Sequence, residues 1–184
     1  AALELMVEAQ SLDLKMTDVA KRADVPVGTL YQFFPSRSAL IARLFDEQMA
    51  PISESVRDLR LDSVDQPALA SSIYRQMSEH LRLVQREPAL AVIWGSPSVD
   101  PAIQAADLEN TQSNARLLVA GFSHAYGMSA EDPDLQATAL LICHLWSGVI
   151  RLCLGSDSAT SERLLQQYAA MIASHVTHLA ARKD

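Results

Sequence analysis

The chain has 184 residues, 49% of them hydrophobic and 20% charged, with a formal net charge of −7. That composition excludes a disordered chain and leaves enough apolar residue for one domain of ordinary size or two small ones. The longest nearly uncharged apolar run, Ala137 to Ile150, is interrupted by Thr138, His144 and Ser147 and falls short of the roughly 18 residues a membrane span needs. It reads as a buried helix. No basic and apolar signal peptide opens the sequence, so the expectation is a soluble, cytoplasmic protein with no membrane partner.

Glycine and proline punctuation divides the chain into helices, and no Asn-Gly or Asp-Gly hairpin signal marks a strand pair. Helices are predicted over about 1–9, 17–23, 28–33, 36–59, 66–86, 88–95, 101–126, 133–154 and 159–181. The opening Ala1-Ala2-Leu3-Glu4-Leu5-Met6 reads as mid-helix, so the first helix is expected to be cut on its N-terminal side. Thr17 is set to cap the second helix, with Val19, Ala20 and Ala23 inward. Asp24 then occupies a turn, where a left-handed conformation suits Asp or Asn better than most residues, and Val25 is expected to plug that turn from inside. The next helix turns Leu30 inward and offers Thr29, Tyr31 and Gln32 outward. Ser36 is placed to cap the helix carrying Leu40, Ile41, Leu44 and Phe45.

Further along, helix 66–86 has one apolar stripe at Leu69, Ile73, Met77, Leu81 and Val84, and Pro88 ends or kinks it. Asp100-Pro101 and Asp132-Pro133 each place a capping carboxylate before a proline at the first helical position, while Gly127 and Gly155 stand where left-handed C-terminal residues are expected. Helix 133–154 is apolar nearly all round from Ala139 to Leu154, which requires partners on two sides, of which one can be the domain's own core and the other a second subunit. Helix 159–181 repeats apolar residues at Leu165, Tyr168, Ile172, Val176 and Leu179. The two cysteines, Cys143 and Cys153, lie ten positions apart in one helix. That spacing is about 15 Å, beyond the reach of a disulfide, so they read as small buried hydrophobes in a reducing compartment.

Charge is unevenly spread. Residues 15–43 carry Lys15, Lys21, Arg22, Arg37 and Arg43 against Asp18 and Asp24, a net +3 within an acidic chain. Two short helices joined by a tight turn inside such a segment form a helix-turn-helix, whose second helix can enter the major groove. Gly28 allows the backbone near phosphate, Thr17, Thr29 and Tyr31 supply hydroxyls, and the starts of helices 17–23 and 36–59 turn N–H groups toward anions.

The Val19-Ala20 pair, Ala23-Asp24-Val25, Gly28-Thr29-Leu30-Tyr31, Phe34, Ser36-Arg37 and Ala39-Leu40 together resemble the TetR (tetracycline-repressor) family of bacterial transcriptional regulators. The sequence match covers about residues 1–45; the remainder resembles the family in length and helix pattern. Asp24 stands at the usual turn glycine, Pro26 at the usual capping serine, and Arg37 where lysine is common. The resemblance implies an all-α chain. Residues 1–45 would be an N-terminal three-helix helix-turn-helix DNA-binding domain, and residues 46–184 a C-terminal helical ligand-binding and dimerisation body. Carried over residue by residue, it implies that Thr17, Gly28, Thr29, Tyr31 and Arg37 touch the DNA backbone and that Val27, Thr29 and Gln32 face base edges.

The implied function is a ligand-responsive repressor that binds a palindromic double-stranded DNA operator as a homodimer and is released by a small hydrophobic effector. Interface candidates on the last two helices are Leu145, Gly148, Val149, Leu152, Leu165, Tyr168, Ile172 and Val176, with monomer core as the plain alternative for the same stripes. Pocket candidates are Met77, Leu81, Trp94, Leu117, Phe122, His144 and Trp146, with Asn110 and Asn114 as polar anchors. His144 also reads as a satisfied core histidine. Enzyme motifs are missing: no G-x-G pair, phosphate-binding loop, H-E-x-x-H, G-x-S-x-G or Glu-x-x-His occurs. His175 and His178 are three apart on a helix but lack a third ligand at matching spacing, so neither metal nor cofactor is implied. The rival reading is a helical ligand-binding or scaffolding dimer whose helix-turn-helix no longer binds DNA.

Overall fold

The computed structural model describes residues 1–57, 66–95 and 101–182, apart from the side chains of Trp94 and Ala102. Among the described residues the chain is all-α, with α1 (Ala2–Ala9), α2 (Met16–Arg22), α3 (Val27–Phe33), α4 (Arg37–Arg57), α5 (Gln66–Arg86), α6 (Pro88–Gly95), α7 (Pro101–Tyr126), α8 (Pro133–Leu154) and α9 (Ser158–Ala181).

Several boundaries rest on local chemistry that the sequence announces. Asp132 accepts from the Asp134 N–H at 2.9 Å, with Pro133 opening α8. Ser36 accepts from the Ala39 N–H at 3.1 Å at the start of α4. Gly127, after α7, has φ +64, a conformation that disfavours any Cβ. Pro88 separates α5 from α6, as expected. Two expectations are corrected. Thr17 is not a cap: α2 begins one residue earlier, with extended Lys15 at the N-cap and no side-chain bond there, which leaves Thr17 exposed in the first turn. Gly155 closes α8 at φ −94, outside the left-handed region, because its N–H bonds the Leu152 and Cys153 carbonyls without a reversal of φ. Asp100 lies outside the described residues.

The helices form two compact units, Ala1–Ala50 with Val84–Glu109, and Pro51–Leu83 with Asn110–Asp184. The first division falls within α4 at Pro51, whose missing N–H removes one helical hydrogen bond. In the first unit α1 packs on α2 and α6, and α2 on α3. Met6, Val19, Ala20, Leu30, Leu40, Ile41, Phe45 and Met49 are buried. Burying each large apolar side chain contributes about 1.5–3 kcal/mol.

In the second unit α8 packs along α9. Tyr168 donates its hydroxyl to the Ile142 carbonyl at 2.7 Å, and Ser161 donates to the Cys153 carbonyl at 3.1 Å. The α5 stripe at Leu69, Ile73, Met77 and Leu81 is buried as predicted. By length and composition alone α8 is apolar enough to cross a membrane. Here Leu135, Ala139, Ile142, Ile150 and Cys153 turn inward, whereas Leu141, Leu145 and Leu152 remain 58%, 51% and 58% exposed. The expectation of a buried helix is therefore met on one side only. Burial raises both thiols, that of Cys143 to about 12, so they behave as neutral apolar groups.

Candidate functional site

The α2–turn–α3 segment is built from short-range forces. Ala23 ends α2, and Asp24 takes φ 55, the left-handed conformation that the turn requires. The Val25 N–H then returns to the Ala20 carbonyl at 3.0 Å. Val25 itself is 38% exposed, so it does not plug the turn; that expectation is corrected, since the backbone bond alone closes the reversal. Pro26 presets φ at −57 as the N-cap of α3, and its carbonyl accepts from the Thr29 and Leu30 N–H groups. Ala20, 2% exposed, and Leu30, 8% exposed, face the core and fix which way α3 presents its other side.

That other side is open. Thr17, Val27, Gly28, Tyr31 and Gln32 are exposed, and Thr29 is half-buried. Each sequence-predicted contact residue on α2 and α3 therefore reaches the surface of one segment. Arg37 differs: its guanidinium is ion-paired with the Asp13 carboxylate, so its charge is engaged within the chain. Arg22 is likewise occupied, bonding Glu8 at 2.8 Å and Glu4 at 3.3 Å and so tying α2 to α1. These bonds hold the Glu8 carboxyl below its usual range and raise the guanidinium. Among the described residues Lys15, at the N-cap of α2, and Lys21, in its last turn, are exposed and make no ion pair. The sequence reading missed Phe33, which is 75% exposed at the end of α3. Helical spacing gave no signal for it, because Phe33 stands three residues from Leu30 on the same side of the helix, and only the packing leaves it in solvent.

The pocket candidates divide. Met77, Leu81 and Phe122 are buried, and Leu117 and Trp146 are half-buried. The side chain of Trp94 lies outside the described residues. His144 is exposed on α8 and is neither a core histidine nor a pocket wall, because it shares the open face with Leu141 and Leu145. Asn110 accepts from the Ser53 hydroxyl at 3.2 Å and thereby joins α7 to α4. Asn114 is 7% exposed, and among the described residues its Oδ1 has no hydrogen-bond partner.

The histidine that matters in this unit is His80, which the sequence reading did not single out. Its Nδ1 accepts from the Trp146 indole N–H at 2.6 Å, with the rings 5.4 Å apart. Burial pushes its pKa down to about 4, so the ring is neutral with its proton on Nε2. The signal lay in the spacing: Ile73, Met77, His80 and Val84 share the buried face of α5. His175 bonds Thr138 at 3.2 Å, linking α9 to α8.

The interface candidates divide as well. Leu145 and Leu152 are exposed, and Gly148 and Val149 half-buried. Leu165, Tyr168, Ile172 and Val176 are corrected: at 3%, 8%, 5% and 0% exposure they are spent on the core of their own unit. In their place Leu141, Leu145, Gly148 and Leu152 recur at spacings of four, three and four and share one open face of α8. Met171 of α9 is 67% exposed.

Comparison with known proteins agrees with this arrangement. Residues 1–44 match the profile described as bacterial regulatory proteins, tetR family. Residues 67–180 match that of a tetracyclin repressor-like C-terminal domain. Among solved structures, one similar fold is the TetR family repressor AlkX from Dietzia sp. strain DQ12-45-1b, implicated in biodegradation of n-alkanes. It is 18% identical, with a TM-score of 0.63 over 95% of this chain and 93% of that one. Another is a TetR transcriptional regulator from Rhodococcus sp. RHA1, 24% identical, with a TM-score of 0.59 over 94% and 91% of the two chains. A search of curated proteins finds no match.

Proposed function

The chain belongs to the TetR family of bacterial transcriptional regulators, and from that premise we propose that it is a cytoplasmic repressor. It binds a palindromic operator as a homodimer and is released by a small, neutral, hydrophobic effector. The observation that carries the reading is the α2–turn–α3 unit, with left-handed Asp24 at its turn and every non-core side chain of α3 at or near the surface. Such a unit docks its second helix in the major groove, and phosphate contacts from Lys15, Lys21, Thr17 and Tyr31 fix its register. Arg37 joins them only if DNA displaces Asp13.

The proposed division of labour gives residues 1–45 to DNA and residues 46–184 to ligand and partner. Two-fold operators need two recognition helices a helical turn, or a multiple of one, apart, which a second copy supplies. The open α8 face at Leu141, Leu145, Gly148 and Leu152 suits that copy. A Cβ at Gly148 would meet only the Arg151 guanidinium, at 4.0 Å, so a partner helix has room to approach closely. For the effector, buried Met77, Leu81 and Phe122 supply an apolar lining, and Asn114 supplies a polar atom for orientation. His80 is uncharged there, which favours a neutral ligand. An effector that prefers the protein with its recognition helices out of groove register shifts the population away from DNA.

Selection of random duplexes by the protein at two salt concentrations tests the reading. A palindromic consensus, bound more weakly at high salt because phosphate contacts release counterions, is the expected result. No enrichment by a folded, dimeric protein would leave a helical ligand-binding or scaffolding dimer instead.

A further inference from the structure

Which base pairs α3 reads follows from what the helix lacks. Neither an acidic nor a basic residue occurs between Val27 and Phe33. In the major groove, guanine is read by Arg or Lys on O6 and N7, and cytosine by a carboxylate accepting from its amino group. α3 has neither reader. At 100° per residue, Gly28 and Gln32 stand opposite buried Leu30, with Val27 and Tyr31 on one flank and Thr29 and Phe33 on the other. Gln32 is the one side chain of that set whose amide pairs bidentately with a base, and its match is adenine N6 and N7.

The flanks are apolar and wet. Val27 is 39% and Phe33 75% exposed, with Tyr31 at 48% and Val25 at 38% in the same stretch. The other exposed large hydrophobics among the described residues lie on α7, α8 and α9. Apolar side chains on a helix that follows α2 and its cations Lys15 and Lys21 suit a surface that is anionic at its rim and apolar on its floor. The 5-methyl of thymine is the apolar group on the floor of the major groove.

We infer that α3 reads A·T pairs, Gln32 pairing with adenine and Val27 and Phe33 packing on thymine methyl groups. The half-site bases that Gln32, Val27 and Phe33 contact are then adenine and thymine, while the Thr29 hydroxyl, which can pair with any base, adds no preference. This rests on the proposed operator binding. A lost methyl contact is worth about one buried CH₂, roughly fourfold in affinity per contact, and the four contacts of a dimer, two in each half-site, add in free energy to about 200-fold.

The test uses the duplex selected by the wild-type protein, remade with deoxyuridine for thymidine, which removes the 5-methyl alone, or with 7-deazaadenine for adenine, which removes N7. Affinities are read by fluorescence anisotropy at fixed salt. The expected result is a loss of about 200-fold for uracil in both half-sites, shrinking to about 15-fold in Val27→Ala or Phe33→Ala and toward none when both are replaced. A 7-deazaadenine loss that vanishes in Gln32→Ala is expected as well. Both apolar residues are exposed, so their truncation leaves the core intact, and the modified duplexes need no variant at all. Equal affinity for the thymine and uracil duplexes, or G·C pairs at the contacted half-site positions, overturns the inference while salt-sensitive binding keeps the operator reading. Absence of duplex binding at every salt concentration overturns both.

Discussion

Acidification should unfold this protein partly through one side chain. His80 is buried, accepts the Trp146 N–H at Nδ1, and has its pKa lowered from 6.5 to about 4, chiefly by desolvation. The unfolded chain binds the proton more readily than the folded one, so this contribution to stability is complete above pH 6.5 and falls as pH drops toward 4. Between pH 8 and pH 5 the linkage amounts to about 2 kcal/mol, and below pH 4 it levels off at about 3 kcal/mol. His80→Asn retains an acceptor near the position of Nδ1 and removes the titration. Urea unfolding followed by far-UV circular dichroism, at one protein concentration and at both pH values, gives the loss for each chain. Wild type should lose about 2 kcal/mol more than the variant between pH 8 and pH 5. Equal losses in the two would refute the assignment of a neutral, desolvated imidazole.

Other perturbations separate the remaining roles. Leu145→Glu with Leu152→Glu places charge on the open α8 face without touching the core of the unit. Sedimentation should show dissociated, folded chains, and an unchanged dimer would remove this face from the interface. Tyr168→Phe leaves the buried Ile142 carbonyl without its 2.7 Å hydroxyl donor and should cost about 1–3 kcal/mol in chemical denaturation. Gly127→Ala forces a Cβ into a φ of +64 where nothing else lies within 4 Å. The expected cost is therefore conformational alone, about 1–2 kcal/mol, with Gly127→Asn retaining more of the stability in the same assay.

Most of the helical framework was legible in the chain because helices begin, end and turn by short-range rules. Asp132 and Ser36 cap within three residues of themselves, Asp24 and Gly127 take the left-handed φ that their turns need, and the stripe on α5 shows its period directly. The exposed face of α3 was legible for the same reason. Once Leu30 is known to face inward, the arc that carries Gln32 must face out.

Other features depended on contacts that join distant parts of the chain. An apolar stripe looks the same whether it meets its own chain or a second copy. Only packing turned Leu165, Tyr168, Ile172 and Val176 inward and left Leu141, Leu145 and Leu152 in solvent. Arg37 is basic in any reading, but its pairing with Asp13 spans 24 positions. His80 and Trp146 stand 66 residues apart, and neither local periodicity nor composition specifies that pair. Sequence determines hydrogen bonding within a few residues of itself; tertiary structure decides which face is dry, because desolvation depends on every neighbour at once.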